Sequence, residues 1–283
     1  MENMKTKFVL ACLMISANLA VAETSPVPSA NPQSISSIFS ADGAAEPLAA
    51  SSTSYQYIIA HWPYGQGFST QAMLANSGTA TATVKVEFFN QAGASFSVPL
   101  SGIGLESSET LTIDAGDVSV LATETSQREN SNLEVAWGIA TSTAPLNVFS
   151  LFDLGSSSTS ITGAVGAQST VAAKTFRFPV SVGGPAKFTA GMAIANPNNS
   201  TADVTVMVLN ADGSSMGSFQ ETLAGDNQTI FTLDSKLNFS SFSSAPFIGS
   251  VAVCATQPIG LVTVGFEGGA FFSTSVTNDP CPQ

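Results

Sequence analysis

The chain has 283 residues, of which 44% are hydrophobic and only 10% charged, with a formal net charge of -12. Such a length allows about two domains of ordinary size with full cores. Eight Lys and Arg in total cannot supply the clustered cations that nucleic acid or an anionic membrane surface would require.

A surface so poor in charge must be covered by Ser, Thr, Asn, Gly and Ala, a composition typical of exported proteins. The N-terminus agrees. Lys5 and Lys7 precede an apolar run over 8–19, and Ala20-Val21-Ala22 offers the small residues a signal peptidase accepts. Residues 1–22 are therefore expected to be a secretory signal peptide cleaved after Ala22, too short for a comfortable membrane span. A lipoprotein signal through Val9-Leu10-Ala11-Cys12 is the alternative, but it leaves only residues 8–11 as the apolar region. The product is expected outside the cytoplasm (secreted, periplasmic or at the cell surface) and not as an integral membrane protein. Residues 23–54 are rich in Ser, Ala and Pro with few apolar anchors; they bury too little to offset their ordering entropy and read as a flexible leader.

From residue 55 onward the chain becomes β-branched and aromatic, punctuated by Gly, Asn, Asp and Pro. Strands are predicted over 55–62, 68–75, 81–90, 95–100, 110–113, 118–123, 133–141, 146–154 and 158–165. In Thr83-Val84-Lys85-Val86-Glu87-Phe88 the period of two puts Val84, Val86 and Phe88 inward, with Lys85 and Glu87 toward water. No window has a convincing helical period.

One stretch occurs twice. Residues 68–93 and 188–213 align without a gap at an offset of 120, agreeing at nine of 26 positions that include Asn76/Asn196, Val84/Val204, Asn90/Asn210 and Gly93/Gly213. Asn90 to Gly93 and Asn210 to Gly213 each read as a type I turn closed by a left-handed glycine. Further echoes follow in the same order, Ala115-Gly116-Asp117 with Ala224-Gly225-Asp226, then Ile139-Ala140-Thr141 with Cys254-Ala255-Thr256. Ordered echoes are what duplication of a whole domain leaves behind. The expected fold is all-β, two tandem immunoglobulin-like β-sandwich domains over 55–170 and 171–283; a jelly roll or another Greek-key arrangement of the same size is the alternative. With so short a link the two sandwiches are expected end to end, with a partly apolar interface.

Ile59-Ala60-His61-Trp62, Gly65-Gln66-Gly67-Phe68, Leu74-Ala75-Asn76 and residues 86–93 in the first half, with Phe178-Pro179, Gly183-Gly184, Phe188 and Ile194-Ala195-Asn196-Pro197 in the second, resemble a repeat in uncharacterised secreted bacterial proteins of the acidobacterial type. The resemblance covers about residues 57–278 and implies an extracytoplasmic β-sandwich. Its motifs are turn and core residues, so it implies no catalytic residue. Ser77 stands where that pattern has Pro, which weakens only the turn assignment there.

The candidate ligand-binding residues are His61, Trp62, Tyr64 and Gln66, on a segment rich in Gly and Pro whose planar side chains would stack on sugar rings. The plainer alternative, which we favour, is that Trp62 packs beneath the loop with Tyr64 half exposed. His61 is the sole histidine and no Ser sits in a nucleophile elbow, so no catalytic residue is assigned. Asp114 with Asp117, Glu106 with Glu109 and Glu124 with Glu129 are paired acids, read as turn and loop caps rather than glycosidase carboxylates. Asn210 to Ser214 superficially looks like an oxygen-ligand loop but lacks the closing Glu; no metal and no cofactor are expected. Once the signal peptide is removed, Cys254 and Cys281 are the cysteines left, a possible disulfide tying the tail to a strand. The function expected is non-catalytic: a structural, adhesive or binding protein whose partner is a protein or surface polysaccharide. Carbohydrate binding through the first-half aromatic segment is the alternative, and exposed strand edges would let copies of the chain self-associate.

Overall fold

The computed structural model describes residues 54–130, 132–157, 160–267 and 270–282; the expected signal peptide and residues 23–53 of the expected leader lie outside them. The described chain is all-β. Its first half runs β1 (Tyr55–Tyr64), β2 (Phe68–Asn76), β3 (Ala82–Asn90), β4 (Val98–Leu100), β5 (Gly104–Glu106), β6 (Ser108–Ile113), β7 (Val118–Ala122), β8 (Glu134–Ser142), β9 (Leu146–Ser157) and β10 (Ser160–Gln168). Antiparallel pairing gives two sheets, ordered β1-β8-β3-β6 and β10-β9-β2-β7. They close on one apolar core, to which Trp62, Leu74, Val86, Phe88, Leu121 and Val148 contribute. Two sheets over a common core are the layering of a β-sandwich.

The alternation read in β3 is realised: Val84, Val86 and Phe88 are fully buried, while Lys85 and Glu87 pair at 2.7 Å on the outer side. At the hairpin after β3, the Gly93 N–H donates to the Asn90 carbonyl at 3.0 Å with Gly93 at φ 81°. Its counterpart repeats this at 2.9 Å and φ 84°. The next echo is less regular. Gly116 takes the left-handed conformation in the first half, but in the second that role passes to Asp226, at φ 58°. Gly225 serves close approach instead, because a Cβ there would lie 2.6 Å from the backbone of Asn199.

The repeated Asn is a buried clamp on a turn. Nδ2 of Asn76 donates to the carbonyls of Ala80 at 2.8 Å and Ile113 at 2.9 Å, and its Oδ1 accepts from the Gly78 N–H at 2.9 Å. Asn196 likewise donates Nδ2 to the carbonyls of Ser200, Leu223 and Ala224, and its Oδ1 accepts from the Asn198 N–H at 3.1 Å. No aliphatic side chain could satisfy those carbonyls at a buried strand end.

The second half contains β11 (Ala173–Gly183), β12 (Thr189–Ala195), β13 (Ala202–Asn210), β14 (Ser215–Leu223), β15 (Gln228–Thr232), a short helix α1 (Leu233–Lys236), β16 (Pro246–Glu267) and β17 (Ala270–Ser273). The long β16 belongs to two pairings. Its residues 246–255, with Ile259, pair with β11 and β13, and residues 260–267 with β12 and β17. The orders are thus β11-β16-β13-β14 and β17-β16-β12-β15, the same as in the first half with β16 replacing both β8 and β9.

The halves do not meet end to end. A third apolar core lies between them, with Ile58, Ala60, Trp137 and Ile139 on one side and Ala195, Val262, Val264 and Phe266 on the other. The outer face of the β1-β8-β3 sheet packs on the outer face of β12-β16-β17. Burial on both faces explains why β1, β12 and the second part of β16 are almost continuously buried rather than alternating. Residues 169–172 thread this junction: the Ile58 N–H donates to the Thr170 carbonyl at 3.0 Å, and the Leu261 N–H donates to Thr170 Oγ1 at 3.2 Å.

Candidate functional site at the junction of the halves

The aromatic segment is core, not surface. A bulge in the β1–β8 register between Ile59 and Trp62 lets Trp62 turn inward although Ile59 already faces the core. Trp62 is 0% exposed, lies edge-on to Phe88 with ring centroids 5.0 Å apart, and donates its indole N–H to Thr123 Oγ1 at 3.0 Å. Tyr64 is 5% exposed; burial, with the Glu134 charge adding, pushes its phenol up to about 12. Neither ring presents a face on which a sugar could stack: Trp62 packs as the favoured alternative has it, and Tyr64 is buried rather than half exposed. The reason is the bulge together with the turn that follows.

That turn is unusual in its backbone. Gly65, Gln66 and Gly67 have φ of 86°, 49° and 89°. A Cβ on Gly65 would lie 2.0 Å from the Asn132 carbonyl oxygen, so only glycine fits. The N–H groups of Gln66 and Gly67 donate to the carbonyls of Asn130 and Arg128, each at 2.8 Å. Gln66 is the half-exposed member of the predicted set.

His61 points the other way, into the junction. It is 8% exposed and meets the Phe152 ring edge-on at 5.5 Å. Burial lowers its imidazole to about 4, so it is neutral at pH 7. With Phe68, Met192, Val264 and Phe266 it lines an apolar cavity of about 40 Å³ between the halves. That is room for a water or two, not for an organic substrate.

Beside His61's sheet lies a feature with no local sequence signal. Arg128, in a 3-10 turn over Thr125–Glu129, pairs with Asp153 of β9, and both side chains are almost fully buried. Burial raises the Asp153 carboxyl above the usual range, while the Arg128 charge and hydrogen bonds from Gln71 and Arg128 pull it down. The pair anchors the segment whose carbonyls hold Gln66 and Gly67.

The larger opening at the junction is a groove of about 440 Å³. One wall is the start of β9 (Asn147) with Gln168 and Ser169. The other is Thr263 of β16 and the C-terminal tail, with Ser275 and Asn278. None of the groove's lining residues carries a charge. The tail is held in place by two backbone hydrogen bonds between Thr277 and Arg177, both 2.8 Å, and by a disulfide joining Cys254 to Cys281, with Cα atoms 6.0 Å apart. Hydroxyls and amides without an activated nucleophile can bind a neutral polar ligand but supply no acid–base chemistry.

The paired acids lie apart from both openings: Asp114, Asp117, Glu106 and Glu129 are exposed, and neither cavity nor groove is lined by any of them. Asp114 accepts from Thr81 Oγ1 at 2.9 Å, and Asp212 accepts from the Ser214 N–H at 2.9 Å, both as turn caps. Among the described residues no helix is long and apolar enough to cross a membrane. Compared with known proteins, the chain matches no family model, no curated protein and no solved structure.

Proposed function

We propose that this is an exported, non-catalytic binding or structural protein built from two immunoglobulin-like β-sandwich modules fused into one rigid unit. The observation that carries this reading is the recurrence of one strand order in both halves, with a buried apolar core between them. A stiff two-module body with a surface of neutral polar side chains suits a spacer or a docking platform. The signal-like residues 1–22 and the resemblance of both halves to secreted bacterial repeats support export. The test is to fractionate the producing cells, sequence the N-terminus of the accumulated protein, and use the mature chain as bait on envelope extracts. A protein beginning at Glu23 outside the cytosol, with a reproducible envelope partner, is the expected result. A cytosolic protein that keeps residues 1–22 would sink the reading.

The uncharged groove favours a second reading, in which a neutral polysaccharide binds at the junction rather than on the aromatic segment. Isothermal titration with neutral oligosaccharides should then show binding that Gln168→Ala with Asn278→Ala weakens at least tenfold. Equal binding by that variant, or none by either, removes this reading.

A further inference from the structure

The two halves use equivalent surfaces unequally. In the second half, the outer face of β15-β12-β16 is covered by the first half through Ala195, Val262 and Val264. Its counterpart in the first half is the outer face of β7-β2-β9. Pairing registers fix the correspondence: Met73 opposes Val120 and Phe149, as Ala193 opposes Ile230 and Val262. This first-half face is apolar too, yet no described segment covers it: Val118 is 58% exposed, Val120 52% and Phe149 38%. Isolated exposed apolar residues are ordinary, but three on one sheet face form a patch of the kind that marks an interaction surface.

The complementary face is also left over. The outer face of β1-β8-β3 is spent on the junction, whereas the outer face of β11-β16-β13 in the second half faces outward, with Arg177, Pro179, Ile248, Ser250 and Met207. Ile248 is 67% exposed; the tail meets this face at its Cys254 end through the disulfide and runs beside the Arg177 backbone through Thr277. The two spare faces differ from the packed ones in a matched way. Within the chain, Ile58 sits on Gly260. In the spare pair, Arg177 takes the place of Ile58 and Asn147 that of Gly260, as the registers with Ala252 and Ala75 require. An apolar side chain over a bare backbone is replaced by a guanidinium, which within one copy donates to Ser250 Oγ at 3.2 Å, opposite an amide able to accept from it.

We propose that the second-half β11-β16-β13 face of one copy docks on the first-half β7-β2-β9 face of another, repeating between molecules the contact already made within each. This rests on the two-module reading above and names its partner as a second copy of the chain. The contact joins unlike surfaces and uses sheet faces, not strand edges. It therefore does not close on itself, and propagates as a head-to-tail chain.

Sedimentation velocity of the mature chain, residues 23–283, over a hundredfold concentration range tests this. The wild type should give a weight-average mass that rises past two copies. Val120→Lys on one face, or Ser250→Lys on the other, should each hold the protein at one copy. Mixing these two variants should restore one two-copy complex, since each keeps the face the other lacks. Val118→Lys and Arg177→Glu are the substitutes if either variant fails to show wild-type thermal unfolding. A single-copy wild type at every concentration overturns the proposal, as does a closed dimer broken by Val120→Lys but indifferent to Ser250→Lys, or assembly unaffected by both. An envelope partner captured by a strictly single-copy protein would leave the binding reading standing and remove self-assembly alone.

Discussion

Ile58 of the first half lies directly on the backbone of Gly260 in the second: a Cβ built on Gly260 would be 2.2 Å from Ile58 Cγ2 and 2.5 Å from its Cβ. The closeness involves the branch point of Ile58, which rotation about χ1 cannot move away. Gly260→Ala should therefore push the two halves apart and destabilise the protein by about 1–3 kcal/mol. Ile58→Ala alone should cost about 2–5 kcal/mol through its cavity. In urea denaturation the double variant should lie well short of the sum, with a coupling of about 1 kcal/mol or more. Strict additivity would mean that the halves are not locked through this contact.

The strands of the first half are legible because β3 alternates cleanly and its hairpin carries Asn90 and Gly93 at fixed positions. The junction is harder to read. Ile58-Ile59-Ala60 and residues 259–266 are apolar without alternation, which signals burial on both faces, but a run of that kind does not say which surface covers it. Trp62 shows a different obstacle. Its inward turn depends on a register bulge, and an aromatic residue before Pro63 and Gly65 looks the same whether it packs or stacks on a ligand. Arg128 and Asp153 stand in different elements and share no periodic pattern, so nothing local marks them as a pair.

That buried pair makes an asymmetric prediction. Removing one partner leaves the other charge buried and unpaired, whereas removing both need cost little. Arg128→Met should destabilise by about 3–5 kcal/mol and free the segment that holds Gln66 and Gly67. Arg128→Met with Asp153→Leu should recover much of the loss. Hydrogen exchange at the Gln66 and Gly67 amides, bonded to Asn130 and Arg128, supplies a local readout beside the denaturation midpoint. Equal losses in the single and double variants would show that the charges themselves are not what the site depends on.

The disulfide closes a loop between residues 27 apart in sequence. Chain-entropy arguments give such a loop about 3.5 kcal/mol of stabilisation. Reduction, or Cys254→Ala with Cys281→Ala, should lower the thermal midpoint and raise proteolysis at the tail wall of the groove, while the first-half core keeps its protection. A midpoint unchanged by reduction would mean that the Thr277–Arg177 bridge alone secures the tail.

His61 gives the molecule a pH dependence whose sign follows from its burial. The folded state holds the imidazole at about 4, against about 6.5 in an unfolded chain. Between those values the unfolded state binds more protons, so stability rises with pH there. The contribution is fully present above about pH 6.5 and is lost as the pH falls toward 4, amounting to about 3 kcal/mol at the lower end. Asp153 acts in the opposite sense: burial raises its folded carboxyl, so its charged form is the less favoured in the fold, and it cannot produce a loss on acidification. His61→Gln keeps a polar side chain of similar size without a titrating proton. Its stability from pH 7 to 4.5 should lack the decline of the wild type, and the difference between the two curves isolates the imidazole. Parallel curves would mean that His61 takes up a proton in the folded protein, and that the junction opens to water around it.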